Sequence, residues 1–168
     1  VVALVVVGSM AGASMLLASY YWTRIPQADA MLSARATVVY YSDGKTEIGR
    51  FSIRNRVVVS IDRVPRHLQL AVLAAEDRSF EMHQGVSLRD TARAAVANLR
   101  GEPLQGASTI TQQYVKVLSA RTDRDWAGKY VESLAALKLE RSVSKRQILQ
   151  GYLNAIYLGR NSYGVQAA

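Results

Sequence analysis

The chain of 168 residues contains no cysteine. A disulfide framework and a thiolate metal site are therefore both excluded, and the redox compartment cannot be inferred from cysteine usage. Only two histidines are present, so a histidine-rich metal site is not expected either. The sequence also lacks internal repeats and low-complexity segments. Its length fits one domain plus an appendage.

Acidic residues are comparatively few. The 21 Lys and Arg residues outnumber the 13 Asp and Glu residues, which gives a net charge of +8, while 49% of the chain is hydrophobic. A basic and strongly apolar chain is unusual for a plain soluble enzyme. The combination favours contact with a membrane or with a polyanion.

Charge is absent from residues 1–22, "VVALVVVGSMAGASMLLASYYW". As a helix this run would be about 33 Å long, against a bilayer core of about 30 Å. It ends in Tyr20, Tyr21 and Trp22, where an aromatic belt belongs. A cleaved signal peptide is the alternative, but this run is long for one and ends in aromatic residues. We predict an uncleaved transmembrane anchor over residues 1–22.

The remainder divides into a β-containing linker and a helical part. Residues 38–41 and 47–53 are rich in β-formers and flank Asp43-Gly44, a strong turn signal, so residues 23–64 are predicted as a linker with a β-hairpin. Residues 65–168 are predicted to be helical. The expected helices cover 65–80, begin after Ser87, begin near Ser108, cover 126–141 and begin after Ser144.

The stretch "GASTITQQYVKVL" offers polar groups on one helical face. Thr109, Gln113 and Lys116 are spaced i, i+4, i+7, with Gln112 beside them. Ser108 and Thr109 lie at the amino-terminal end, where free N–H groups favour an anion. This pattern suits a phosphate or sugar ligand, and a capped surface helix explains it equally well.

Two carboxylates, Glu76 and Glu132, are further candidates for a functional site. Glu76 ends an apolar helix, where partial burial would suit it to proton transfer near neutral pH. The adjacent Asp77 and Arg78 favour a structural ion pair. Glu132 follows Lys129 by three residues, and this spacing alone favours a surface ion pair.

The role of His83 stays open, with a loop anchor, a base and a metal ligand as the three alternatives. Gly85, two residues later, predicts a tight turn. The second predicted helix carries an apolar face that includes Leu88, Val96 and Leu99.

Five segments in order resemble the motifs of glycosyltransferase family 51, the peptidoglycan glycosyltransferases. "EDRSFEMHQG" resembles its E-D-x-x-F-x-x-H-x-G signature, and "GASTITQQ" with Lys116 resembles the second motif. Lys129-x-x-Glu132, "KRQILQGYLN" and "YLGRNSYGVQAA" resemble the third, fourth and fifth. The uncharged run and the "SDG" hairpin resemble the amino-terminal part of a class A penicillin-binding protein.

The resemblance implies a mainly α, lysozyme-like domain over residues 65–168, preceded by a transmembrane helix and a short β-hairpin. It implies polymerisation of lipid II into glycan strands, with inversion at MurNAc C1 and release of undecaprenyl diphosphate. The expected location is the bacterial cytoplasmic membrane, with a single pass and the catalytic domain outside. Lipid II, the growing strand, membrane lipids and other cell-wall synthesis and division proteins are the expected partners, and nucleic acid is not.

The resemblance also assigns roles to residues. Glu76 is the expected general base, and Glu132 is the second carboxylate, which would assist at the diphosphate. No cofactor is required by the sequence; a divalent cation, Mg²⁺ or Mn²⁺, is left open, with Glu132 as its candidate ligand. Donor sugar and diphosphate contacts are expected from Ser108, Thr109, Gln112, Gln113, Lys116 and Lys129. Supporting roles in the first motif fall to Asp77, Phe80 and His83.

The chain departs from the family pattern at several positions. Gly128 replaces the arginine of the third motif, for which Arg124 is a candidate substitute, and Gln150 replaces the glutamate of the fourth. Gly151 follows, although glycine is unfavourable inside a helix. We expect these last changes to affect packing more than chemistry. The family domain is expected to continue beyond Ala168, with a transpeptidase domain after it. An inactive glycan-binding scaffold and a lysozyme-like glycan-cleaving enzyme are the alternatives.

Overall fold

Helix α1 spans Val2–Trp22 in the computed structural model, which describes residues 2–26, 37–51, 55–101, 106–119 and 125–168. Its sequence contains no charged residue. Within these described ranges, no helix has both the length and the apolarity needed to cross a membrane. The anchor predicted for residues 1–22 is therefore not confirmed.

The predicted hairpin is present. Strand β1 (Thr37–Tyr40) pairs antiparallel with β2 (Glu47–Phe51). The turn is stabilised by the Asp43 carboxylate, which accepts the backbone N–H groups of Lys45 and Thr46, each at 2.9 Å. Gly44 has a φ of 65°, a conformation that glycine adopts without strain.

The segment after the hairpin forms hydrogen bonds with residues 154–163. Strand β3 (Asn55–Arg56) pairs in parallel with β4 (Ser162–Tyr163), and a 3₁₀ helix covers Ile61–Arg63. The Asn154 side chain accepts the N–H of Val59 at 2.9 Å and donates to its carbonyl at 2.8 Å. Through these bonds, part of the predicted linker is held against the helical part of the chain.

The predicted mainly α fold is confirmed, and the core lies where three helices meet. The helices after the linker are α2 (Arg66–Glu76), α3 (Leu88–Leu99), α4 (Ile110–Ser119), α5 (Trp126–Ser142) and α6 (Lys145–Ala155). Helix α4 packs against both α5 and α6. The buried apolar side chains at this junction include Ile110, Val115, Leu118, Ala136, Leu139, Ile148, Leu149 and Leu153. Their burial supplies the main stabilisation of the domain.

Local capping fixes the starts of two helices. The Ser87 hydroxyl accepts the N–H of Asp90 at 3.2 Å. Ser144 and Gln147 form the predicted capping box, with the Ser144 N–H donating to the Gln147 side chain at 3.0 Å. Both starts are as predicted.

Helix α2 ends at Glu76, four residues before the predicted end. Asp77 leaves the helix with φ −160° and ψ 82°. Its carboxylate accepts the N–H of Ile110 at 3.0 Å, and this bond to the start of α4 requires the chain to turn away. A long-range contact therefore ends the helix before its local pattern would.

The apolar face of α3 is exposed. Leu88 and Leu99 are 80% and 88% exposed, whereas the buried residues of this helix are Ala94 and Ala97. Small side chains thus contact the domain, and the large apolar ones point outward.

The two unusual residues in α6 have packing roles, as predicted. Gln150 accepts the N–H of Ile61 at 2.8 Å, which an amide oxygen does as well as a carboxylate. A Cβ atom on Gly151 would overlap the ring of Tyr114. Glycine is therefore required for α4 and α6 to pack closely.

Candidate active site

A cleft of about 450 Å³ opens between the end of α2, the start of α3 and the segment before α4. Glu76 and Ser108 line it together with three arginines, Arg78, Arg89 and Arg93. Sequence reasoning did not assign these arginines to the site. The available signal was the i, i+4 spacing of Arg89 and Arg93 in α3. The cleft combines one candidate base with a cationic rim suited to an anionic ligand.

Glu76 is the last residue of α2, and its side chain is exposed. The partial burial expected for it is wrong, because the helix ends at the cleft mouth. Gln113 Nε2 donates to Glu76 Oε2 at 2.9 Å. The carboxylate is thus oriented by one amide donor and stays accessible to a substrate.

Gln113 contacts two further groups. Its Nε2 lies 3.5 Å from the Ser108 carbonyl oxygen, and its Oε1 accepts the hydroxyl of Tyr152 at 3.0 Å. Burial raises the pKa of Tyr152, and the charge of Glu76 adds to the effect. The tyrosine hydroxyl therefore keeps its proton and acts as a donor.

Glu132 is 5% exposed and lies 3.6 Å from Lys129 Nζ. The ion pair predicted from the i, i+3 spacing is therefore present, but its carboxylate is buried and does not lie at the surface as predicted. Lys129 Nζ also donates to Ser108 Oγ at 2.6 Å. Contacts therefore run from Glu76 through Gln113, Ser108 and Lys129 to Glu132.

The divalent cation at Glu132 stays an open alternative, because Mg²⁺ is commonly bound by one or two carboxylates together with substrate phosphates. Within the described ranges, no three His, Cys, Asp or Glu side chains cluster to hold a metal ion. The side-chain contact that Glu132 makes there is with the Lys129 ammonium, a cation itself.

Asp77 and His83 form a buried pair below the cleft. Asp77 Oδ2 lies 2.9 Å from His83 Nε2 and accepts the Ile110 N–H at 3.0 Å. His83 Nδ1 accepts the N–H of Gly85 at 3.2 Å, so Nε2 carries the proton and donates to Asp77. His83 is therefore a loop anchor, the first of the three open alternatives.

The predicted ion pair between Asp77 and Arg78 is wrong. Arg78 Nε donates to the carbonyl of Ala74 at 3.0 Å, on the outside of the molecule. Both residues line the cleft, but the Asp77 side chain is buried and bonded inside the protein, whereas Arg78 is exposed.

A second buried cluster holds the same loop, and sequence reasoning missed it. Lys145 Nζ donates to the carbonyl of His83 at 2.6 Å and to both oxygens of Glu140, at 2.7 and 2.6 Å. Thr111 donates its hydroxyl to Glu140 at 2.5 Å. Lys145 Nζ also lies 4.5 Å from the ring centroid of the buried Phe80. The first lysine of "KRQILQGYLN" was the available signal.

Thr109 and Gln112 are buried and form hydrogen bonds inside the protein. The Thr109 N–H donates to Gln112 Oε1 at 3.0 Å, and the Gln112 N–H donates to Thr109 Oγ1 at 3.2 Å, which is a capping box. Thr109 also donates to the carbonyl of Gly85 at 2.6 Å, and Gln112 to Ser133 at 2.8 Å. The T-x-x-Q spacing was the local signal for this cap.

Gly85 lies against α5 in a turn with φ 89°, as its position predicted. An added Cβ would lie 2.7 Å from the backbone of Ala136, so the loop approaches the helix through this glycine. Lys116 lies in the last turn of α4, one turn beyond Gln113. Arg124 lies outside the described residues.

Residues 44–168 match the family model described as Transglycosylase. The chain belongs to this family. The predicted resemblance to a peptidoglycan glycosyltransferase domain of a class A penicillin-binding protein is thereby confirmed.

Three curated proteins that are similar to the chain are named penicillin-binding proteins. The chain is 44% identical to penicillin-binding protein 1A of Aquifex aeolicus over 80% of its own length and 18% of that protein. It is 41% identical to penicillin-binding protein 1A of Mycobacterium tuberculosis, over 89% of the chain and 19% of the relative. It is 34% identical to penicillin-binding protein 2D of Bacillus subtilis, over 95% of the chain and 23% of that relative. The chain thus spans about a fifth of the length of these relatives.

Proposed function

We propose that this transglycosylase domain polymerises lipid II, with Glu76 as the general base. The main support for this proposal is a continuous series of contacts between the two carboxylates. It joins Glu76 to Glu132 through Gln113, Ser108 and Lys129. Glu76 accepts the proton of the acceptor sugar 4-hydroxyl as that oxygen attacks MurNAc C1. The bond from C1 to the diphosphate oxygen breaks, and undecaprenyl diphosphate leaves with inversion.

The cations of the site would stabilise the departing diphosphate. Lys129 is partly exposed and already held in place by Ser108, so it loses little freedom when it meets a phosphate. The cleft arginines add positive charge, and Lys116, one turn beyond Gln113 on α4, is a further candidate cation. Preorganised cations act most strongly on charge that develops in the transition state.

A glycan-cleaving enzyme of lysozyme-like fold is the nearest alternative. Glycosidases flank the scissile bond with two carboxylates and admit a water molecule between them. A hydrolase has no need of cations for a diphosphate, and the lysine that pairs with Glu132 therefore favours the transferase. A glycan-binding scaffold without turnover is the third candidate.

Membrane location follows from the substrate and agrees with the surface of α3. Its exposed Leu88 and Leu99 lie on the same helix as Arg89 and Arg93, a composition suited to anionic lipid headgroups. The single-pass anchor with an external catalytic domain stays a prediction. Membrane fractionation and protease accessibility in intact cells would test it.

One assay separates the three candidates. Purified full-length protein is given lipid II in detergent, with the Glu76→Gln variant as the inactive control, and glycan polymer is measured. We expect polymer from the wild type. Cleavage of preformed strands without polymerisation would support the hydrolase, and binding without turnover would support the scaffold. A transpeptidase domain in the full-length protein would be detected in the same preparation by covalent labelling with a β-lactam.

A further inference from the structure

We infer that Tyr152 is a positioning residue for Glu76 and acts on it through Gln113. This inference rests on the proposed function, in which Glu76 is the base. Tyr152 lies on α6, Gln113 on α4, and Glu76 at the end of α2, so three helices meet in one line of hydrogen bonds. In the sequence Tyr152 is the tyrosine of "KRQILQGYLN", the fourth motif, and no role was predicted for it.

The orientation of the Gln113 side-chain amide is fixed by its two partners, Glu76 and Tyr152. An amide has one oxygen, which accepts, and one NH₂ group, which donates. If the Gln113 amide were reversed, its oxygen would face the Glu76 carboxylate, and two acceptors would be in contact. Tyr152 is 1% exposed and its pKa is raised, so its hydroxyl is a permanent donor that demands the amide oxygen. The tyrosine therefore presents the NH₂ group of Gln113 to Glu76.

The tyrosine is itself held rigidly. Tyr152 packs in the core with Ile148, Leu149 and Leu153 of the same helix. Gln113, by contrast, is only partly buried and would otherwise rotate among several side-chain conformers. A buried ring thus restrains an exposed carboxylate. Within the described part of the chain, Gln113 is the side chain that donates a hydrogen bond to this carboxylate.

The charged groups around Glu76 do not replace this restraint. Arg78, Arg89, Asp90 and Arg93 line the same cleft. Arg78 and Arg93 have partners of their own, the Ala74 carbonyl at 3.0 Å and Asp90 at 3.1 Å. Arg89 interacts electrostatically with Asp90. Gln113 is therefore the described hydrogen-bond donor that orients the Glu76 carboxylate.

A double-mutant cycle in the full-length protein tests the inference. Wild type, Tyr152→Phe, Gln113→Ala and the double variant are compared for kcat and KM in lipid II polymerisation. We expect Tyr152→Phe to lower kcat about three- to tenfold, the range for one lost hydrogen bond, with KM changed less than about twofold. In the Gln113→Ala background the same substitution should change kcat less than about twofold. Equal losses in both backgrounds, or no loss in the wild type, would overturn the inference.

Two controls separate positioning from stability and from the proposed function. Tyr130→Phe removes another tyrosine hydroxyl bond, the 2.7 Å contact with Ser19, and should leave kcat unchanged. The second control is hydrogen exchange of the Gln113 side-chain amide by NMR, with its signal assigned by its loss in Gln113→Ala. Exchange should accelerate about tenfold in Tyr152→Phe, and unchanged exchange would overturn the inference. This measurement needs no turnover, so an inactive wild type would overturn only the proposed function.

Discussion

The buried ion pair between Lys145 and Glu140 predicts a large loss of stability when its cation is removed. The Glu140 side chain is 4% exposed and that of Lys145 is 22% exposed, and their contacts measure 2.6 and 2.7 Å. In Lys145→Met the glutamate keeps the Thr111 hydroxyl but no cation at hydrogen-bond distance. Leaving one partner of a buried pair uncompensated costs about 3–5 kcal/mol. Because Lys145 is partly exposed, we expect the lower end, about 3 kcal/mol.

The neighbouring residue is a matched control. Arg146 also forms an ion pair, with Asp62, but these side chains are 61% and 73% exposed. Solvent screens such a pair, so Arg146→Met should leave stability almost unchanged. Both variants remove one positive charge from the first turn of α6.

Urea denaturation of the detergent-solubilised protein, followed by circular dichroism, measures the difference. Lys145→Met should lower the urea midpoint by about 1–2 M, given a denaturant slope of about 2 kcal/mol/M. Glu140→Gln combined with Lys145→Met should recover part of the loss, because the uncompensated charge is gone. If Lys145→Met and Arg146→Met shifted the midpoint equally, the argument from burial would be wrong.

Three further substitutions test the site and its scaffold. Glu76→Gln should lower lipid II polymerisation by about 10²-fold, the usual range for a lost general base, and near-wild-type turnover would remove Glu76 from the mechanism. Gly151→Ala should destabilise the domain by about 1–3 kcal/mol, because the new methyl group overlaps the Tyr114 ring; an unchanged melting temperature would contradict that packing. Hydrogen bonds from Ser87 and then Ser79 lower the pKa of Asp90 below its ordinary value of 3.8, so its contribution to stability is present above that pH and is lost as the pH falls through the lowered value. The urea midpoint of the wild type should therefore converge on that of Asp90→Asn in acid, and a constant difference down to pH 2 would refute the assignment.

Features that depend on neighbouring residues were predictable from the sequence. The Asp43-Gly44 turn and the helix starts at Ser87 and Ser144 each need only three or four consecutive residues. The spacing of Gln113 and Lys116 likewise predicted two polar, partly exposed side chains one turn apart on α4, whereas Thr109, the third residue of the predicted face, precedes the helix and is buried. Local geometry decides such features, so a single sequence contains the necessary information.

Burial and long-range partners were not predictable in this way. Glu132 was expected at the surface because i, i+3 spacing says nothing about which helix packs above it. Asp77 was paired with its sequence neighbour, whereas its actual partners are His83 and Ile110, the latter 33 residues away. Those contacts also moved the end of α2 from residue 80 to Glu76. Each error arose where tertiary hydrogen bonds overrode a local pattern.

Long-range contacts of the same kind connect the amino-terminal helix to the site. Lys138 Nζ donates to the carbonyls of Tyr21 and Thr23 at 3.1 and 2.6 Å, at the end of α1 where backbone oxygens lack helical partners. The Tyr20 ring lies 4.9 Å from the Lys138 ammonium. A cation at a helix carboxyl end also neutralises the negative end of the helix dipole. Lys138 belongs to α5, which also carries Lys129 and Glu132. One helix thus holds the end of α1 and one half of the candidate site, so the direction in which α1 leaves the domain is set by the helix that carries the second carboxylate.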